Sequence, residues 1–128
     1  MERVTPAIIC FSGRMRSGKS TISRAIESKL GWERASFGEF IQEKAKACGR
    51  DFKDRSTLQE IGAELVKSGW KNFVSAVLGS TNWNQGDPLI VDGIRHLEVV
   101  SHITDLTKPL PVFLIYVEVA EAIRQQRL

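Results

Sequence analysis

Short apolar runs alternate along the chain with stretches whose apolar residues recur every three or four positions. Ala7 to Phe11 (AIICF) is one such run, rich in β-branched residues, and reads as a strand over about 7–12 buried on both faces. From Lys19 to Leu30 the spacing is helical, with Ile22, Ala25, Ile26 and Leu30 on one face and Gly31 as the stop. Glu33 to Phe37 (ERASF) is a weaker second strand, followed after Gly38 by a helix from Glu39 to Cys48. Ser56 with Gln59 three residues on has the form of a capping box opening a helix that carries Leu58, Ile61, Leu65 and Val66. Asn72 to Leu78 predicts a further short helix, and Gly79 to Pro88 is turn-forming throughout. Leu89-Ile90-Val91 then makes a buried strand over about 88–92. Glu98 to Leu106 reads as helix, Pro109 and Pro111 break it, and Val112 to Val119 (VFLIYVEV) is the strongest strand signal, placed at about 112–118.

Strands alternating with helices predict the α/β class: three layers, with a mostly parallel sheet between helices on both faces. At 128 residues the chain has room for one domain with one core, so 1–128 is read as a single unit. Residues of about 38–88 form a helical insertion within it.

Composition narrows the function classes. With 42% apolar and 26% charged residues, disorder is excluded as a default. The net charge of +3 suits a phosphate-bearing ligand, but the basic residues are scattered and form no stripe, so no nucleic-acid partner is expected. The two cysteines, Cys10 and Cys48, have no CxxC or Cys/His spacing, which argues against a zinc site or a disulfide framework. No apolar run approaches the roughly 20 residues of a membrane span, so no membrane partner and a cytoplasmic setting are expected.

The chemistry is concentrated after the first strand. Gly13-Arg14-Met15-Arg16-Ser17-Gly18-Lys19-Ser20 fits G-x-x-x-x-G-K-[ST] at every fixed position, between a buried strand and an amphipathic helix. Glycines at 13 and 18 let the backbone turn with its N–H groups inward, and the following helix adds its positive end. Lys19 is expected on the β and γ phosphates, Ser20 on Mg²⁺, and Thr21 beside the α-phosphate. The implied cofactors are ATP and Mg²⁺. Asp92 follows Leu89-Ile90-Val91 as a Walker-B-type Asp does, and is the second candidate metal residue. The competing reading of Asp92 is a strand-end residue capping the next turn.

The loop together with Val91-Asp92-Gly93-Ile94-Arg95 resembles the P-loop kinases of small metabolites: nucleoside monophosphate kinases, dephospho-coenzyme A kinases and phage-type deoxynucleoside monophosphate kinases. The resemblance spans about residues 7–128. It implies phosphoryl transfer from ATP to a small phosphorylated acceptor, with a nucleotide ranked first. Ser36-Phe37-Gly38-Glu39-Phe40-Ile41-Gln42 resembles the family's acceptor-binding stretch, which implies substrate contacts from Ser36, Phe37, Gly38 and Gln42. Gln42 stands where many nucleotide kinases have an Arg, so the acceptor's charge falls to Arg50, Arg55 or Arg95, with Arg95 first. The end of the last strand resembles the approach to the family's lid, which implies that Arg124 and Arg127 stabilise the transferring phosphoryl group together with Lys19 and Arg95, while Asp92 takes part in catalysis by positioning Mg²⁺.

The resemblance also implies a remaining lid, a last strand and a helix that this sequence does not contain. The sheet is therefore expected to lack that strand, with a homo-oligomer or a second chain as what would complete it. Two other functions stay open: a nucleotide-binding regulatory module or weak NTPase without transferase activity, and, ranked last, a polynucleotide-end kinase using Trp70 and Trp83 for stacking. Trp32, Trp70 and Trp83 read first as packing residues, and His96 and His102 as surface or helix-cap residues.

Overall fold

The apolar runs become the centre of a parallel sheet in the computed structural model of the chain, which describes residues 5–13 and 19–117. In chain order the elements are β1 (Ile8–Gly13), α1 (Lys19–Leu30), β2 (Glu33–Ser36), α2 (Phe37–Ala47), α3 (Arg55–Lys67), α4 (Trp70–Gly79), β3 (Leu89–Ile94), α5 (Leu97–Thr107) and β4 (Val112–Val117). The described sheet has four strands in the order β2-β3-β1-β4, and each pairing is parallel. Parallel neighbours need crossovers, and helices supply every one.

The pleat sorts the strand residues into two cores. Ile8 and Cys10 of β1 and Leu89 and Val91 of β3 face a cluster completed by Phe73, Val74, Val77 and Leu78 of α4 and Val99 and Ile103 of α5. Their alternates, Phe11 and Ile90, face a smaller cluster with Val117, against which Ile9, Ile26 and Trp32 pack. The chain is thus three layers, α1 on one face and the remaining helices on the other, which is the predicted class. Fully buried Phe11, Ile8, Leu89 and Ile90 each contribute about 1.5–3 kcal/mol. Among the described residues no helix is long and apolar enough to cross a membrane.

Four local expectations change. The buried face of α1 is not Ile22 and Ala25, which are exposed, Ile22 at 40%. It runs instead through Ser23, at 0%, and the partly buried Ile26, Glu27 and Leu30. The stripe is rotated by one residue because a small hydroxyl fits against a buried carboxylate on β3, as described below. α2 begins at Phe37, two residues early, because Ser36 caps it by accepting from the Glu39 N–H at 3.2 Å. α3 is capped by Asp54, not Ser56; its carboxylate accepts from the Thr57 N–H and hydroxyl at 3.3 and 2.8 Å. β3 runs on to Ile94, past the predicted end at residue 92, so Asp92 lies inside a strand and is no turn cap.

Candidate functional site

The C-terminal ends of the strands meet α2, α3 and α4 around a cavity of about 610 Å³. β3 brings Asp92 and Gly93 to its edge, and the segment after β3 brings Arg95 and His96. Ser36, Phe37, Gly38, Ile41 and Gln42 reach it because the β2–α2 junction turns within one residue of the strand end. Arg55, Leu58, Gln59, Gly62 and Val66 present the matching face of α3. Trp70 and Phe73 of α4 close the apolar wall; their rings stack at 6.3 Å and 11°. Phe37 meets Phe73 edge-on at 5.2 Å, and His96 lies 5.0 Å from Trp70.

Of the residues expected to bind acceptor, Ser36, Phe37, Gly38, Gln42, Arg55 and Arg95 line one cavity with Asp92. Arg50 does not line it. Gly93 makes the closure at this corner possible. Its φ is +90°, and a Cβ there would stand 3.3 Å from the Phe37 Cβ and 3.5 Å from the Gly38 nitrogen.

Asp92 is 1% exposed and points to the α1 face of the sheet. Its Oδ2 accepts from the Ser23 hydroxyl at 2.9 Å and from Arg34 Nη2 at 2.6 Å. Its Oδ1 is buried with no hydrogen-bond partner among the described residues. Arg34 lies on β2 opposite Ile90, one diagonal step from Asp92, and its side chain is 6% exposed. It donates from each nitrogen: Nη2 to Asp92, Nη1 to Glu39 Oε2 at 2.6 Å, and Nε to Ser23 Oγ at 3.0 Å. Burial alone would lower the Arg34 pKa, but the hydrogen bonds and charges of Glu39 and Asp92 outweigh it and hold the group above its ordinary value. Glu39 also pairs with Arg24 of α1. The chain of ion pairs thus links α1, β2, the first turn of α2 and β3.

Sequence reasoning passed over Arg34 and Ser23, and read Gln59 only as half of a capping box with Ser56. The signal for Arg34 was present: in Glu33-Arg34-Ala35-Ser36 it alternates with the buried Ala35, so it had to face the other side of an internal sheet. Trp70 and His96, read as packing and surface or cap residues, both line the cavity. His96 sits at the N-cap position of α5 but makes no side-chain cap bond.

The two flanks of the expected phosphate loop are among the described residues. Gly13 ends β1, and α1 starts at Lys19, the strand-to-helix step that such a loop needs. Thr21 is exposed in the first turn of α1. Arg14, Met15, Arg16, Ser17 and Gly18, the side chains of Lys19 and Ser20, and Arg124 and Arg127 lie outside the described residues.

No protein-family model matches the chain, and no curated protein matches it. Solved structures do. A protein from Chloroflexus aurantiacus J-10-fl named as a "putative kinase" superposes with a TM-score of 0.67 at 21% identity, over 96% of this chain. A gluconokinase from Sinorhizobium meliloti 1021 superposes with a TM-score of 0.51 at 16% identity, over 98% of this chain. In each case the match covers 65% of the other protein. At these identities the likeness carries the architecture alone: the chain shares a three-layer α/β fold with these two structures.

Proposed function

We propose that the chain is a P-loop kinase that transfers the γ-phosphoryl group of ATP to a small phosphorylated acceptor, with a nucleotide as the favoured acceptor. The observation that carries this reading is the cavity between α2, α3 and α4, which runs from two arginines to Asp92. Its size, about 610 Å³, suits a ligand of nucleotide dimensions. The aromatic wall of Phe37, Trp70, Phe73 and His96 offers planar surface for a base, and Gln42 and Gln59 offer amides for its edge. Arg55 and Arg95 supply the charge that a phosphate requires.

Gly13 to Thr21 would hold the triphosphate, with Lys19 on its outer phosphates and the positive end of α1 beneath it. A phosphate acceptor is already anionic at neutral pH. Transfer then needs positioning and charge neutralisation rather than a strong base. Arg95 is close to both ends of that task, three residues past Asp92 and on the cavity wall. Arg124 and Arg127 belong to the same proposal as stabilisers of the transferring group.

The residues present fit a divalent ion of the magnesium type. Among the described residues no three His, Cys, Asp or Glu side chains form a metal cage. Mg²⁺ in such sites is held by one or two protein oxygens and the phosphates, and the buried Asp92 Oδ1, without a hydrogen-bond partner among the described residues, is an oxygen suited to its water shell. Ser20 would be the second protein oxygen. Bound there, the ion would spread the negative charge of the β and γ phosphates.

The test is ADP formation from ATP and Mg²⁺ with a panel of nucleoside monophosphates, sugar phosphates and other phosphorylated metabolites. Acceptor-dependent turnover by one member, with a matching rise in thermal midpoint, is expected. ATP binding with no acceptor turnover would favour a regulatory nucleotide-binding module instead. Equal ATP binding by the parent chain and Lys19→Ala would remove both readings.

A further inference from the structure

We infer that Arg34 is a positioning residue: it fixes the Asp92 carboxylate so that Oδ1 is turned to the metal–nucleotide, and it ties that carboxylate to the acceptor helix α2. The inference rests on the proposed function for what Oδ1 meets, but the geometry stands by itself. A buried carboxylate rotates about its terminal torsion between two nearly equivalent settings unless its oxygens are distinguished. Here they are. Oδ2 accepts two bonds, from Ser23 and Arg34, while Oδ1 accepts none among the described residues. Arg34 cannot turn away, because each of its nitrogens is committed: to Asp92, Glu39 and Ser23. A side chain that is 6% exposed, with a fork of fixed donors, sets an orientation that a lysine cannot copy.

The second arm of Arg34 gives the residue a further consequence. Glu39 sits in the first turn of α2, and α2 carries Phe37, Gly38 and Gln42 into the cavity. Asp92 and the acceptor wall are therefore braced against the same guanidinium. Arg34 touches neither phosphate chain in this scheme, so its effect is on alignment, through Asp92.

The experiment compares Arg34→Met, Arg34→Lys, Asp92→Asn and the double variant Arg34→Met/Asp92→Asn by two readouts. The first is ADP binding by calorimetry with and without Mg²⁺, which needs no turnover. Metal-free ADP binding should persist in all four variants, which also shows that they are folded. The gain in affinity on adding Mg²⁺ should fall about 10- to 100-fold in Arg34→Met, the size expected when the partner of a metal-side carboxylate is removed. Arg34→Lys should recover only part of it. The second readout is non-additivity: the double variant should lose no more than Asp92→Asn alone, because Arg34 acts through Asp92.

With an acceptor in hand, Arg34→Met should lower kcat with little change in the KM for ATP. An unchanged Mg²⁺-dependent gain in Arg34→Met, losses that multiply in the double variant, or full recovery by Arg34→Lys overturns the inference. If no acceptor is turned over, the kinase proposal fails while the ADP measurements still decide the role of Arg34. If metal-free ADP affinity collapses in Arg34→Met but not in Asp92→Asn, Arg34 serves the nucleotide pocket itself and the positioning role is wrong.

Discussion

The two cysteines show how far environment separates chemically identical residues. Cys10 is 0% exposed inside the main core, and burial pushes its thiol up to about 12 from 9.0. Cys48, at the end of α2, is exposed. The native chain should therefore consume one equivalent of a thiol reagent at pH 8 and two after denaturation; two fast equivalents in the native state would contradict the buried core. The stability consequence has a definite sign. The folded state holds the Cys10 proton more tightly, so its contribution is intact below pH 9 and is lost as pH rises from 9 towards 12. Within the candidate site, removing Arg55 or Arg95 should act on the acceptor. Each Arg→Met change is expected to raise the acceptor KM about 10- to 100-fold, the worth of a hydrogen bond between charged groups, with the KM for ATP nearly unchanged. A parallel rise in both constants would place these arginines elsewhere in the reaction.

At the scale of elements, two positions carry consequences that the residues alone do not announce. Gly93 combines a φ of +90° with the close approach of the Phe37 and Gly38 backbone. Gly93→Ala should cost about 1–3 kcal/mol in chemical denaturation and weaken acceptor binding by pushing back the start of α2. Asp54→Ala should cost about 1 kcal/mol through the lost cap of α3, whereas Ser56→Ala should be close to neutral. That pair of variants separates the observed cap from the expected one.

The same cases show what was legible. Apolar patterns were clearest for β1, β3 and α4, whose burial is dictated by their own residues, and weakest for β2, where Ala35 alone is buried. Phase was harder. Ile22 looked like the buried position of α1, yet Ser23 is buried, because its partner is a carboxylate brought in from β3. Arg34 was hidden for the same reason: its meaning lies in Asp92 and Glu39, which are distant in sequence or on another element.

For the whole molecule, β4 is one of the two edge strands of the described sheet, and it is unlike the other strands. Phe113, Leu114, Ile115 and Tyr116 are 55%, 44%, 41% and 57% exposed, so both of its faces carry uncovered apolar surface. An open, apolar edge favours pairing with another chain. The 128-residue chain should therefore self-associate with rising concentration in sedimentation velocity, and Ile115→Lys should reduce that association. A single monomeric species for both across the concentration range would count against this.

The cavity wall has a consequence for inheritance. Its three helices, α2, α3 and α4, follow one another without interruption between β2 and β3. The strand-to-helix step at Gly13 and the carboxylate at Asp92 lie outside that stretch, on either side of it. On the proposed function, most of the acceptor wall and the handling of ATP are written in separate passages of the gene, with Arg95 and His96, after β3, as the parts of the acceptor wall that stay behind. Substitution or exchange of one uninterrupted segment could then retarget the acceptor, and the main constraint on the graft would be the Glu39 carboxylate that must meet Arg34.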